Sequence, residues 1–227
     1  MRNYIKDNLA SINSEIINAE KISRRLPGSV RLMAVSKNFP AVDIMAAYNA
    51  GHRMFGENKI QELEEKAPKL PKDIEWHLIG HLQSNKAVKA VELAEYIHSI
   101  DSEKLISRID RLASERNKIQ KILLEVNISE EESKFGLNLL NIDKCVKLAL
   151  KSPNIKLVGF MTMAPFKAEE SELIRIFYAL KHLRDSIEIK YSISLPELSM
   201  GMSDDFKQAI ECGSTIVRIG TAIFGRR

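Results

Sequence analysis

The stretch RLMAVSKNFPAVDIMAAYNAGHRMFGE, residues 31–57, shows the pattern that the rest of the chain repeats. It begins with a short apolar run at residues 31–36, which is typical of a buried β-strand, and Pro40 then stands where a helix can begin. Gly51 follows the helical segment as a stop signal, and residues 53–57 form a second apolar run. A strand, a helix and another strand in this order indicate a parallel β-α-β unit.

The same alternation continues to the end of the chain. The predicted strands are residues 31–36, 53–57, 75–80, 96–101, 121–127, 155–163, 197–200 and 215–220, and a helical pattern follows each except the last. Eight strands with intervening helices are typical of a (β/α)8 barrel, a fold that normally needs ~250 residues. The 227 residues therefore predict an α/β protein made of one TIM-barrel domain, residues 1–227.

An additional helix is predicted before the first strand. Ile5, Leu9, Ile12 and Ile16 recur there at steps of three and four, which gives the helix one apolar face. The final barrel helix is predicted to be missing, and this N-terminal helix is expected to cover the gap beside the last strand. A doubly wound open sheet is the alternative fold, although no glycine fingerprint of the dinucleotide-binding type follows the first strand.

Composition narrows the classes of function. The 34 basic and 30 acidic residues leave a net charge of +4 and are interleaved, so we do not expect nucleic acid as a partner. No stretch approaches the ~18 uninterrupted apolar residues that crossing a bilayer needs, so we expect no membrane as a partner either. The two cysteines have no partner motif, which argues against a disulfide framework and against a zinc site. The N-terminus is charged throughout, so it is not a signal peptide. We therefore expect a cytoplasmic protein, and the mixed surface charge predicts a monomer.

Polar residues collect where the predicted strands end. In a (β/α)8 barrel the active groups lie at the C-terminal ends of the strands. The residues at these ends are Lys37, Glu57, Asn58, Gly80, His81, Asp101, Asn127, Met163, the run 199–203 and the run 218–221. One lysine, one arginine and two turns rich in Gly, Ser and Thr indicate a small anionic ligand with an electrophilic carbon.

Lys37 and Arg218 are the most informative of these residues. Lys37 ends an apolar strand, so partial desolvation and a nearby cation favour its neutral amine, the form that condenses with an aldehyde. A lysine that extends into water from a strand end is an equally good interpretation of the pattern alone. Arg218 stands inside an apolar strand and needs a partner there, either in a structural ion pair or in a ligand.

Two turns follow the last two strands, the position where this fold often binds phosphate. Ser203 is predicted to cap a helix whose free N–H groups attract an anion. Gly201 and Gly220 would let the backbone approach a ligand closely, and Thr221 follows directly. An ordinary capped turn explains either segment taken alone, but two such turns on neighbouring strands favour phosphate.

The histidines are weaker candidates. His77 and His81 are four residues apart, but they lie on a strand and the turn after it rather than on one helix face, so we predict no metal site. His98 is predicted to be a core histidine.

Seven segments together resemble one known family. They are AVSK (34–37), FGENK (55–59), WHLIGHLQSNK (76–86), HSIDS (98–102), KFG (134–136), LSMGMSDDFKQAI (198–210) and VRIGTAIFG (217–225). By these motifs the chain closely resembles the pyridoxal phosphate homeostasis proteins of the YggS/PROSC type, over nearly its whole length.

The resemblance implies a barrel of the alanine racemase N-terminal domain type that holds pyridoxal 5'-phosphate (PLP) as a Schiff base. By position, the attachment lysine is Lys37. The same matching places Asn58 beside the cofactor ring and Arg218 at the pyridine nitrogen. The phosphate contacts that it implies are Ser203 and the backbone at Met202, Gly220 and Thr221. No residue is expected to be catalytic.

The implied function is intracellular PLP homeostasis without catalytic turnover, with PLP-dependent apoenzymes as potential recipients. A racemase-like enzyme is the alternative, and a Schiff-base aldolase is a more remote one. An arginine at the pyridine nitrogen weakens the electron sink on which pyridoxal chemistry depends. A racemase also needs an acid or base on each face of the substrate carbon. The chain ends soon after the last predicted strand, and no tyrosine stands at a strand end, so the carrier is favoured.

Overall fold

The structure is a computed structural model that describes residues 2–129, 131 and 135–225. Within these ranges, eight parallel strands close into a barrel in chain order, with the first strand paired to the last. The strands are β1 (Arg31–Val35), β2 (Met54–Glu57), β3 (Glu75–Leu78), β4 (Tyr96–Ile100), β5 (Gln120–Glu125), β6 (Ile155–Met161), β7 (Glu197–Ser199) and β8 (Ile216–Ile219). The predicted barrel is confirmed, and the open-sheet alternative is wrong.

Helices surround this barrel and alternate with its strands. They are α1 (Asn3–Ile22), α2 (Ala41–Asn49), α3 (Ile60–Lys66), α4 (Ala87–Leu93), α5 (Glu103–Ser114), α6 (Leu139–Lys151), α7 (Glu170–Tyr191), α8 (Phe206–Glu211) and α9 (Thr221–Phe224). Short 3-10 turns at Ala67–Lys69 and Ser84–Lys86 follow α3 and precede α4. Within the described ranges, no helix combines the length and the apolar composition that crossing a bilayer requires.

The predicted N-terminal helix is present as α1. Its apolar face is buried, and α1 contacts α2, α8 and α9. The Asn8 side chain donates a hydrogen bond to the Ile223 carbonyl at 2.9 Å and so ties α1 to the end of the described chain. The prediction that the final barrel helix is missing is wrong, because the one-turn helix α9 follows β8. A single turn is too short to cover β8, so α1 covers the remaining space.

Alternation along the strands decides which side chains enter the barrel. On β1, Arg31, Met33 and Val35 share one face, and Met33 and Val35 pack with Met54 and Ile216 in an interior cluster that is separate from the main core. The main core lies outside this interior, between the strands and the helices.

Candidate functional site

Four adjacent strands bring the predicted site residues to one half of the barrel mouth. In the closed order, β7 lies beside β8, β8 beside β1 and β1 beside β2. Met33 of β1 is level with Arg218 of β8, and Val35 is level with Gly56 of β2. The site residues therefore stand side by side at the C-terminal ends of these strands, because the strands are parallel and in this register.

Lys37 lies in the turn that follows β1 and is solvent-exposed. It follows Val35, the last residue of β1, by two positions. The next residue, Asn38, has a positive φ of 62°, so the chain turns sharply after the lysine. Lys37 thus lies beyond the C-terminal end of β1, in a turn rather than in a regular strand.

A buried lysine in α3 fixes this turn from outside the barrel. The Lys66 amine donates to the Ser36 carbonyl at 3.0 Å and to Glu57 Oε1 at 2.9 Å. It also donates to Glu62 Oε2 at 2.7 Å, and the same carboxylate oxygen accepts the Asn38 N–H at 2.6 Å. The peptide groups on both sides of the exposed lysine are therefore bound to one ion-paired cluster.

Glu57 makes this cluster electrostatically unusual. Its side chain is fully buried, Oε1 accepts from Ser36 Oγ at 2.7 Å, and Oε2 has no partner among the described residues. Burial raises the pKa of Glu57, although the hydrogen bonds from Ser36 and Lys66 oppose the shift. Sequence reasoning missed the role of Lys66, although it shares the buried face of α3 with Ile60 and Leu63.

Arg218 is buried in the barrel and makes three hydrogen bonds to neutral acceptors. Nη1 donates to the Ser199 carbonyl at 2.5 Å and to Ser199 Oγ at 2.9 Å, and Nη2 donates to the Thr162 carbonyl at 2.9 Å. Burial lowers the pKa of Arg218 to about 10, so it stays a cation at neutral pH. In the described part of the chain it forms no ion pair, and two of its five N–H groups are left for a ligand.

The turn after β7 differs from its prediction. Ser203 does not cap a helix, because α8 begins at Phe206. Instead Asp205 Oδ1 accepts the Met202 N–H at 2.5 Å and shapes the turn. Gly201 has a φ of +95°, and a Cβ there would lie 2.6 Å from Ala209 Cβ. This glycine is therefore required for the turn and for packing against α8.

Several polar groups at the mouth are available to a ligand. Within the ranges that the structure describes, the hydroxyls of Ser203 and Thr221 and the amide of Asn58 make no hydrogen bond. A Cβ at Gly220 would lie 3.1 Å from the Val35 carbonyl oxygen, so the backbone after β8 closely approaches β1. A Cβ at Gly80 would lie only 2.1 Å from the Asn58 carbonyl oxygen, which makes glycine necessary where β3 meets the end of β2.

The opposite wall carries a carboxyl group that the sequence analysis did not single out. Glu125 ends β5 and is 3% exposed. Burial raises its pKa to about 7, with a further increase from the nearby Asp101 charge and an opposing effect from Arg218. Asp101 Oδ2 lies 3.2 Å from His81 Nδ1, and the His81 ring stacks on Phe135 with centroids 3.9 Å apart. Residue 134 of the KFG motif lies outside the described residues.

All five tyrosines fall within the described ranges, and none stands at the C-terminal end of a strand. Tyr96 begins β4 at the opposite end of the barrel, Tyr4 and Tyr48 lie in α1 and α2, and Tyr178 and Tyr191 lie in α7. The predicted absence of a tyrosine at the mouth is therefore confirmed.

Comparison with known proteins finds relatives that all point to one family. The family model for the alanine racemase N-terminal domain matches residues 14–227. A pyridoxal phosphate homeostasis protein of Synechocystis sp. (strain ATCC 27184 / PCC 6803 / Kazusa) is 43% identical over 221 residues, which are 96% of this chain and 98% of that protein. The protein of the same name from Aquifex aeolicus (strain VF5) is 38% identical over 222 residues, 97% of each chain.

Solved structures agree in fold. PipY of Synechococcus elongatus PCC7942, solved with PLP bound, has a TM-score of 0.87 and 38% identity, and the match covers 97% of this chain and 100% of that one. Alanine racemase of Clostridium difficile 630 has a TM-score of 0.80 at 12% identity; the match covers 100% of this chain but 57% of the racemase, and it shows a shared fold only. The chain therefore belongs to the pyridoxal phosphate homeostasis protein family, built on the barrel of the alanine racemase N-terminal domain.

Proposed function

We propose that this protein binds pyridoxal 5'-phosphate, holds it on Lys37 and supplies it to PLP-dependent apoenzymes, without turning over a substrate. The observation that carries the proposal is the pairing of β8 with β1. It places a buried arginine with two unused N–H groups beside the strand that leads to Lys37. The names of the relatives and the PLP in the PipY structure support the same ligand.

The residues at the mouth fit the three reactive parts of this ligand. The Lys37 amine suits the aldehyde, with which it would form a C=N bond with loss of one water molecule. Arg218 can only donate hydrogen bonds, so it suits an unprotonated pyridine nitrogen. The unpartnered hydroxyls of Ser203 and Thr221, with the backbone at Met202 and Gly220, suit the phosphate. Asn58 would contact the ring from the next strand.

The same residues favour a carrier over an enzyme. Bound PLP supplies an electron sink, and a donor that leaves its ring nitrogen neutral weakens that sink. A racemase-like activity needs a second acid or base opposite Lys37, and none of the tyrosines provides it. Glu125, on the opposite wall with a pKa of about 7, is the group through which such an activity would be tested.

The attachment is tested by adding PLP to the purified protein, recording the absorbance of the bound form and trapping it with borohydride for peptide mapping. We expect label on Lys37 and loss of the bound absorbance in Lys37→Ala. Lys59→Ala removes another exposed lysine that follows β2 and should behave like the parent protein. Label on a different lysine would refute the assignment.

The carrier role is tested separately. The loaded protein is incubated with each enantiomer of several amino acids while racemisation and cofactor release are followed. It is then mixed with a PLP-dependent apoenzyme, whose recovered activity reports transfer. We expect transfer without racemisation. Steady racemisation that is lost in Glu125→Gln would instead establish the enzyme.

A further inference from the structure

A continuous chain of side-chain hydrogen bonds runs through the barrel interior to Arg218. Arg218 Nη1 is 2.9 Å from Ser199 Oγ, and Ser199 Oγ is 3.0 Å from His98 Nδ1. His98 Nε2 is 2.7 Å from His77 Nδ1, and His77 Nε2 is 2.8 Å from Glu75 Oε1. Ser199, His98 and His77 are fully buried, so the chain of hydrogen bonds crosses the barrel from the start of β3 to β8 and reaches water only at Glu75.

With both imidazoles neutral, the two ends determine the direction of every hydrogen bond. A guanidinium only donates, so Ser199 Oγ accepts from it and gives its own hydrogen to His98 Nδ1. His98 must then carry its hydrogen on Nε2 and donate to His77 Nδ1. His77 in turn carries its hydrogen on Nε2 and donates to the Glu75 carboxylate. For neutral rings this one pattern satisfies all five groups, and in it both imidazoles are Nε2–H tautomers.

The surroundings of the histidines agree with neutral rings. Burial lowers the pKa of His77, and it lowers the pKa of His98 further, where the Arg218 and Arg31 charges add to the effect. The His77 ring stacks on Tyr96 with centroids 4.4 Å apart. The charged or titratable groups that face the two histidines are Arg31, Glu75, Tyr96, Lys121, Glu197 and Arg218.

We propose that Ser199, His98 and His77 are positioning residues for Arg218, linking its guanidinium to the distant Glu75 carboxylate through neutral groups. A carboxylate in direct contact would occupy the arginine's N–H groups and neutralise its charge. The chain of hydrogen bonds instead fixes Nη1 of Arg218, while the two unused N–H groups of the guanidinium remain available at the mouth. This role rests on the proposed function, because the ligand that those N–H groups would meet is the pyridine nitrogen of PLP.

The hydrogen-bond pattern is tested on the ligand-free protein. Long-range proton–nitrogen NMR spectra distinguish the two neutral histidine tautomers from the charged form. His52, His81 and His182 do not belong to this chain of hydrogen bonds. Replacing each of them by Gln therefore assigns the remaining signals to His77 and His98 without disturbing these two residues. We expect both to be neutral Nε2–H tautomers at pH 7 and above. An Nδ1–H tautomer or an imidazolium at either position at pH 7 would overturn the proposal.

The positioning role is tested with Ser199→Ala and with Ser152→Ala as the matched control. Ser152 is also buried and donates to a backbone carbonyl, that of Leu148 at 3.0 Å, but it lies at the end of α6. In Ser199→Ala we expect a shifted Arg218 Nε–H signal without PLP. We also expect about tenfold weaker PLP binding with an altered absorbance of the bound form. The control should match the parent protein in all three measurements.

Failure of this proposal and failure of the proposed function are distinguishable. If Ser199→Ala leaves the Arg218 signal and the bound spectrum unchanged, the chain does not position the arginine, whatever the protein binds. If the parent protein binds no PLP, the proposed function fails. The tautomers and the Arg218 signal of the ligand-free protein then still decide whether the chain holds the guanidinium.

Discussion

Replacing Glu125 by Gln should change how the stability of the ligand-free protein depends on pH. The substitution keeps the size and hydrogen-bonding shape of the side chain but removes its ionisation. Glu125 is buried at the end of β5, and its pKa rises from 4.5 to about 7. Because the folded state disfavours the charged form, this group contributes stability that is fully present below pH 4.5 and is lost as the pH rises through 7.

The expected size follows from the two pKa values. Each tenfold change in proton affinity corresponds to about 1.4 kcal/mol. The change from 4.5 to about 7 therefore makes ionised Glu125 cost about 3 kcal/mol of the unfolding free energy at pH 8.5. The variant does not carry this cost. Its unfolding free energy, taken relative to the parent protein, should rise by about 3 kcal/mol between pH 4.5 and pH 8.5.

Guanidinium titrations of both proteins at several pH values measure this quantity, and the comparison cancels every other titrating group. Glu211→Gln, at an exposed position at the end of α8, is the control for removal of a surface carboxylate and should lack this rise. A Glu125→Gln difference that stays constant to within about 0.5 kcal/mol across the range would refute the reasoning, because Glu125 would then ionise as it does in the unfolded chain.

Three further outcomes are expected. Lys66→Met leaves buried Glu57 without its cation and should lower the unfolding free energy by about 3 kcal/mol in a denaturant titration. Gly80→Ala brings a Cβ to 2.1 Å from a carbonyl oxygen that follows β2, so it should lower the melting temperature and weaken PLP binding. Cys145 and Cys212 are buried, and burial raises the pKa of each to about 11, so a thiol reagent at pH 8 should label neither until denaturant is added.

Much of the fold could be predicted because it depends on local patterns. Short apolar runs and the turns between them located every strand to within one or two residues. The apolar face of α1 predicted a packed helix. The one-turn helix α9 was not predicted, because four residues are too few to show a period. Ser203 was a plausible cap by residue type, but Asp205 accepts the Met202 N–H instead and α8 begins three residues later than Ser203.

The candidate site was predictable only in part, for a related reason. Lys37 and Arg218 could be found because each follows or interrupts a single apolar run. The groups that support these two residues could not be found in this way, since their contacts join segments that are distant in the sequence. His98 and Ser199 are 101 residues apart and meet across the barrel interior. Their contact depends on strand register, and a shift of one residue would turn either side chain to the opposite face.

Under the proposed function, the charges around the mouth favour attachment and release of the ligand over its transformation. Arg218 is a buried cation with three neutral acceptors, and the carboxyl groups nearest to it, Asp205 and Glu125, both have pKa values raised by burial. Neither carboxyl group neutralises the arginine by direct contact, so its charge acts on whatever occupies the mouth. A guanidinium that keeps its protons obliges a facing ring nitrogen to accept a hydrogen bond and stay neutral, which disfavours carbanion formation. In the proposed function, formation and hydrolysis of a C=N bond at Lys37 would need only the amine and water, and neither depends on that protonation.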